Sequence, residues 1–497
     1  MGTILNSLID DPAVAGDKAF NWHEAFPQVL EKGGFDVVIG NPPYGILIDK
    51  DTQTYYNEHF PLTKYKTNLY VLFIERMLQI FDKGLVFFII PKSLLFNSFY
   101  EAIRKHLIIY SEIKEIFTIT EKVFDDAEVG SSLLLLFSIQ KNINQKNIVR
   151  LAATDKVTDF VLQTNIIENK VPQDFFLSLP NCEISIVSSE SQSVLTKLSK
   201  LRPVNSFYSL KNGLNPGNVK HILISTIKEN DNYKPIIWGK DISRYHILWS
   251  GEYINYDESI GNNIRLEDIK SKEGMNKQNR IDFALRSPEL FEAKKIVIRK
   301  TGDSLICCLD EANFYFDTLV HGIYEKQNDY NLEFLEAILN SKPATKLYRL
   351  LHDIQGKVFA KISLDNLSSF PIPDCTLDVR YLLEEKVKVL SRLYTALQDV
   401  SIKFQRSVER NFEFENLSKK LQNWYQLSYS EFLKELSKRN NKISLSQEAE
   451  WEDYFLQEKD KALALKAKID STDREIDQMV YEMYGLKEDE IKIVENS

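Results

Sequence analysis

Four consecutive residues, Asn41-Pro42-Pro43-Tyr44, close the apolar run Phe35 to Gly40 in the stretch FDVVIGNPPYG. An amino group attached to a ring is a poor nucleophile, because its lone pair is delocalised into the ring. Two acceptors aimed at its hydrogens, the Asn41 side-chain oxygen and the Pro42 carbonyl, could draw the nitrogen toward tetrahedral geometry and localise that pair. Consecutive prolines fix φ and remove competing N–H donors, so the carbonyls stay rigidly presented. Tyr44 then offers a flat face on which a planar base can stack. In isolation, Asn-Pro-Pro is about as often a plain turn after a strand, so the chemistry depends on the elements around it.

To present such a loop, a strand must end at Gly40 on the carboxyl edge of a sheet, where α/β folds bind ligands. Residues 35 to about 140 alternate apolar runs with amphipathic stretches, the rhythm of a mainly parallel sheet. Phe35 to Gly40, Leu85 to Ile90 and Ser132 to Ile139 read as buried strands. Leu69, Leu72, Phe73 and Ile80 make a helical stripe, and 97–110 reads as a further helix after the break at Pro91. Residues 146–200 are poorly periodic and read as edge strands and a linker. After Pro203, short runs separated by Gly213, Asn215-Pro216-Gly217, Trp238-Gly239 and Thr301-Gly302-Asp303 predict a β-rich domain closing near Phe370-Pro371-Ile372-Pro373. From Asp378 onward Leu383, Val387, Leu390, Tyr394 and Leu397 are spaced like a helix-packing seam. A late helix with Ile476, Val480 and Met483 stops at Gly485. The expected class is α/β: a partial Rossmann-like sheet (1–145), edge strands and linker (146–200), a β-rich α+β domain (201–375) and a helical segment (376–497).

With 497 residues and a formal net charge of −9, the chain is not a generally basic nucleic-acid coat. Basic and acidic residues roughly balance between 200 and 375, which makes that segment the expected contact surface for a nucleic acid. No run approaches the roughly 18 apolar residues of a membrane span, and Asp10 and Asp11 stand where a secretory signal would be basic, so a cytoplasmic protein is expected. The four cysteines lack CxxC spacing, and adjacent Cys307 and Cys308 on an apparent strand point to opposite faces. Neither a metal site nor a disulfide framework is expected.

FDVVIGNPPYG resembles the catalytic motif of the gamma-class adenine-N6 DNA methyltransferases of the TaqI type, and the resemblance extends over nearly the whole chain. Lys66-Thr67-Asn68-Leu69-Tyr70 is similar to the helix that follows, which implies cofactor-proximal positions for Asn68 and Tyr70. GLVFFIIP (84–91) is similar to the next strand. KVFDDAEVGSSLLLLF (122–137) is similar to the segment whose aromatic residue, here Phe124, stacks on the other face of a flipped adenine. WGKDISRY, KKIVIRKT, LEAILNSK and GKVFAKISLDNLSSFPIP resemble the TaqI-like target-recognition domain. That resemblance implies that Lys240, Arg244, Lys295, Arg299 and Lys357 touch phosphates or base edges. The tail EIDQMVYEMYGLKEDEIKIVE is similar to the end of fused restriction-modification enzymes. The family implies double-stranded DNA as partner, S-adenosyl-L-methionine as methyl donor, and direct in-line transfer to the amino nitrogen of an extruded adenine.

The sequence departs from the family in one respect. A Gly-x-Gly turn should let the backbone approach the cofactor, yet among 18 glycines no two are separated by one residue. Only 34 residues precede the catalytic strand, fewer than the crossovers of the missing strands need at roughly 30 residues per βαβ unit. The expectation is that either a second polypeptide completes the sheet, or the chain is the surviving part of a longer enzyme and is inactive alone. Two rival readings stay open: a catalytically silent DNA-recognition subunit, and an amino-methyltransferase acting on RNA or on a protein glutamine. Pro373-Asp374 with Glu384-Glu385-Lys386 mimics a nuclease pattern, but the latter three fall in the helical repeat and read as a solvated face.

Overall fold

The computed structural model describes residues 20, 22–45, 56–63, 68–124, 132–140, 143–144, 146–184, 191–257, 283–326, 330–352, 360–414, 416–438 and 445–496. The chain divides into two compact units. One comprises residues 1–201, 349–355 and 487–497; the other comprises 202–348 and 356–486.

The first unit is built on six strands: β1 (Val37–Gly40), β2 (Gly84–Pro91), β3 (Glu112–Ile119), β4 (Ser132–Ile139), β5 (Ile148–Thr154) and β6 (Ile167–Pro172). Their spatial order is β1-β2-β4-β3-β5-β6. Only β1 with β2 and β3 with β5 are parallel; β2–β4, β3–β4 and β5–β6 are antiparallel. The expected mainly parallel sheet is thus mixed. The apolar run 132–139 reads the same in either direction, because a strand covered on both faces shows no alternation. β1 is also not buried. It is the edge strand of the described sheet, with Val37 51% and Ile39 76% exposed.

Helix α1 (Leu69–Ile80) buries Tyr70, Val71, Leu72, Ile74 and Met77 and leaves Phe73 exposed, so its inner face is rotated from the expected stripe. Glu75 also points inward, where its carboxylate accepts from the Leu62 N–H and the Thr63 hydroxyl. The expected helix 97–110 is a 3-10 turn, Ser98–Tyr100, leading into α2 (Glu101–Tyr110). Arg104 of α2 is fully buried and donates to the carbonyls of Leu94, Asn97, Asn181 and Cys182. That clamp fastens the stretch after β6 to the core of the unit. Residues 146–200 therefore belong to this unit rather than linking it to the next.

The second unit contains an antiparallel sheet of four strands in the order Cys307–Asp310, Lys295–Arg299, Val320–Glu325 and Tyr208–Asn212. Another four strands, centred on Tyr233–Ile237 and Tyr253–Asn255, enclose an apolar cluster with Phe291, Tyr315 and Phe316. Pro371–Ile372 pairs back with Arg202–Pro203, which closes the β-rich part. Helix α3 (Leu332–Asn340) packs on the first sheet. Beyond it α4 (Leu377–Phe412) and α5 (Leu445–Met483) run antiparallel, tied by Lys386 to Glu475 near one end and Ser407 to Tyr454 near the other. Stacked Phe404 and Trp424, with Phe432 and Phe455, fill the far end. Gly485 at φ +63° ends α5, with the Leu486 N–H returning to the Tyr481 carbonyl.

Candidate active site

β1 runs parallel to β2, with Gly40 opposite Phe88, and delivers the loop at its carboxyl end. A Cβ at Gly40 would lie 2.9 Å from the Phe88 ring, so only glycine lets the strand end this close to its neighbour. In the loop Asn41 and Pro43 are exposed, Pro42 is buried and Tyr44 half-buried. The phenol of Tyr44 donates to the Asn41 side-chain oxygen and lies 3.3 Å from the Ile89 carbonyl of β2. Gly45, at φ +66°, turns the chain and donates its N–H to the Asn68 side-chain oxygen at 3.3 Å.

A shelf of aromatic residues supports the loop. The Tyr44 ring meets Tyr70 edge-on at 6.4 Å, and Tyr70 meets Tyr100 edge-on at 5.8 Å. Tyr70 is completely buried, with its hydroxyl 3.0 Å from that of Ser93, and the Tyr100 phenol interacts with Asn68 and Tyr70. Burial pushes the phenols of Tyr44, Tyr70 and Tyr100 above the ordinary tyrosine value, so all three keep their protons at neutral pH. The loop consequently offers carbonyl-type acceptors and neutral phenols, a set suited to gripping N–H groups. Asn68 and Tyr70, expected near a cofactor, here brace the loop itself. Ser93 and Tyr100 escaped sequence reasoning, since nothing in their spacing announces a contact made only by the fold.

Phe124 is half-buried beyond the end of β3, and no contact joins it to Tyr44 among the described residues. The basic residues expected on DNA fall into different environments. Lys240 is exposed. Lys295 is fully buried, its ammonium 2.6 Å from Asp310 and bonded to the Phe291 carbonyl, so it cannot reach a phosphate. Arg244 is engaged bidentately by Asp473 of α5 at 2.8 and 2.9 Å. Arg299 is half-buried and donates to the Ile242 carbonyl at 2.5 Å. The full burial of Lys295 corrects the expectation that it contacts DNA; Arg244 and Arg299 stay partly exposed while making these bonds, and Lys357 lies outside the described residues. The nuclease-like Glu385 pairs with Lys388 along the surface of α4, and Lys386 with Glu475. The four cysteines are free, and among the described residues no cluster of three His, Cys, Asp or Glu could hold a metal. No helix among those residues is long and apolar enough to cross a membrane.

Comparison with known proteins finds family matches in three parts of the chain. Residues 2–124 match the model of the Eco57I restriction-modification methylase family, and residues 234–372 match the TaqI-like C-terminal specificity domain. Residues 376–480, largely α4 and α5, match a domain of unknown function, DUF8810. By these matches the chain resembles a TaqI-like methyltransferase joined to its recognition domain. Among individual proteins, it is 25% identical over 284 residues to the type II restriction enzyme and methyltransferase RM.MjaORFECS2P of Methanocaldococcus jannaschii, covering 53% of this chain and 23% of that one. It is 37% identical over 83 residues to the modification methylase CviBIII of Paramecium bursaria Chlorella virus NC1A, covering 16% of this chain and 21% of that one. The chain thus spans less than a quarter of the length of either curated relative. Among solved structures, the type IIL restriction-modification enzyme MmeI in complex with DNA aligns over 90% of this chain and 59% of its own, at 11% identity and a TM-score of 0.45.

Proposed function

We propose that this chain is the catalytic-loop and DNA-recognition part of a site-specific DNA adenine-N6 methyltransferase of a restriction-modification or phage-defence system. The observation that carries the reading is the loop at the carboxyl end of β1, where Asn41 and Tyr44 stand partly open to solvent over buried Tyr70 and Tyr100 and half-buried Ser93. An adenine extruded from a duplex would stack on Tyr44 and place its amino hydrogens toward the Asn41 oxygen and the Pro42 carbonyl. As the nitrogen gains positive charge during transfer, those acceptors stabilise it more than they stabilise the resting base. No nucleophilic side chain is required.

S-adenosylmethionine supplies the methyl group, and the described residues do not form a cradle for it. β1 is an edge strand, no described strand lies beyond it, and the chain has no Gly-x-Gly turn. What this chain's residues do is confined to the acceptor side. A second polypeptide or further segment carrying the cofactor loop would fit the edge of β1 that no described strand pairs, where Val37 and Ile39 are exposed beside Leu85 of β2. Unaided, the chain should bind S-adenosylmethionine weakly. A calorimetric dissociation constant below about 10 μM, roughly 7 kcal/mol, would contradict this account of the cradle.

The test of the reading is the product. Co-expression of the chain with its genomic neighbours, followed by mass spectrometry of nucleosides from the host DNA, should reveal N6-methyladenine that disappears with the Asn41→Ala variant. A methylated cytosine, a methylated RNA or protein glutamine, or no modified nucleoside would reject it.

A further inference from the structure

Tyr44 is expected to serve as a stacking face, yet in the structure its ring stands edge-on to Tyr70 and its hydroxyl donates to Asn41. The acceptor that should grip the substrate is therefore already occupied by a donor from three residues away. The same phenol oxygen lies 3.3 Å from the Ile89 carbonyl, so the hydroxyl sits between two acceptors, much as an amino group would. The backbone on either side is held independently: Gly40 is fixed against Phe88, and the Gly45 N–H is bonded to Asn68. The side chain of Tyr44 can consequently move while the loop stays in place.

We infer that the Tyr44 hydroxyl is a placeholder for the amino group of the incoming base, closing the loop onto Asn41 until a planar amino-bearing ring displaces it. The exchange swaps one donor for another. The phenol leaves the Asn41 oxygen, an N–H of the base takes its place, and the freed Tyr44 ring turns to lie against the base. This inference rests on the reading of the loop as a base site and adds a resting state to it. A ring without an amino donor offers no hydrogen bond to replace the one lost, so the latch discriminates for amino-bearing bases before any chemistry occurs. Because the Tyr44 phenol stays protonated across the physiological range, the latch does not open with pH.

Two measurements on the full chain test the inference. In the first, 3-fluorotyrosine is placed at position 44 and its fluorine resonance recorded with and without Asn41→Ala. The resonance should move when Asn41 is removed and should move again in the native chain as adenosine is added. In the second, adenosine is titrated into the native chain and into Tyr44→Phe, which keeps the ring and removes only the hydroxyl. Tyr44→Phe should bind adenosine about fivefold more tightly, the worth of one ordinary net hydrogen bond, and purine riboside, which offers Asn41 no N–H, should bind more weakly than adenosine to both chains. A resonance indifferent to Asn41→Ala would overturn the latch. Equal adenosine affinity in the two chains would overturn the exchange while leaving the base site standing. Absence of adenosine binding in both would remove the base site and the placeholder role with it.

Discussion

Lys295 illustrates how far a residue's type can mislead about its task. In KKIVIRKT it reads as one of several cations facing DNA. The fold instead turns it into the core, where Asp310 and two backbone carbonyls surround its ammonium. Burial lowers its pKa, which Asp310 counteracts. Removing one partner of a buried pair leaves the other charge uncompensated, so Lys295→Ala should destabilise the second unit by about 3–5 kcal/mol. The salt dependence of duplex binding by the protein that still folds should be unchanged. A salt slope reduced by about one with little loss in the denaturation midpoint would return Lys295 to the DNA surface. Lys240, by contrast, is exposed, and Lys240→Ala is the variant expected to lower that slope.

At the scale of elements, α3 packs on its sheet through a carboxyl group that is kept neutral. Glu336 is almost wholly buried and accepts from the Leu309 N–H at 3.0 Å, and burial pushes its pKa from 4.5 up to about 8. Below pH 4.5 the group is protonated in both folded and unfolded chains and contributes no pH dependence. Between 4.5 and about 8 it ionises only when unfolded, so the unfolded state gains and stability falls as pH rises, by at most about 1.4 kcal/mol per unit. Glu336→Gln keeps the acceptor and loses the ionisation. Its unfolding free energy from denaturant titration should match the native chain near pH 4.5 and exceed it increasingly toward pH 8, by roughly 1–3 kcal/mol; parallel pH curves would contradict the assignment. Elements of this kind were legible in the sequence to differing degrees. The strand before Asn41, the strand 84–91, the seam of α4 and the stop at Gly485 follow from local pattern and turn chemistry. Strand direction does not, because the apolar run 132–139 is equally at home parallel or antiparallel. Nor does the inner face of α1, which includes the buried polar Glu75, or the support of the loop by Tyr100 and Ser93, which exists only after strands distant in sequence are aligned.

For the molecule as a whole, we propose a separation of tasks in which the first unit presents the acceptor loop, the second reads DNA, and the apolar strip of Val37 and Ile39 on β1 receives a cofactor-bearing segment. Ile39→Asp places a charge in that strip and should weaken assembly with the complementary methylase segment at least tenfold while leaving the melting temperature of the chain nearly unchanged. Undiminished assembly would move the docking surface elsewhere. The separation of tasks is tested most directly by Asn41→Ala in the assembled enzyme, comparing single-turnover methyl transfer from a tritiated cofactor with a duplex-binding titration on the same preparation. The loss of one preorganised acceptor should slow transfer by about two to three orders of magnitude, roughly 3–4 kcal/mol, with duplex affinity unchanged within a factor of about two. Retention of a third or more of the transfer rate would mean that Asn41-Pro42-Pro43-Tyr44 is only a turn after a strand.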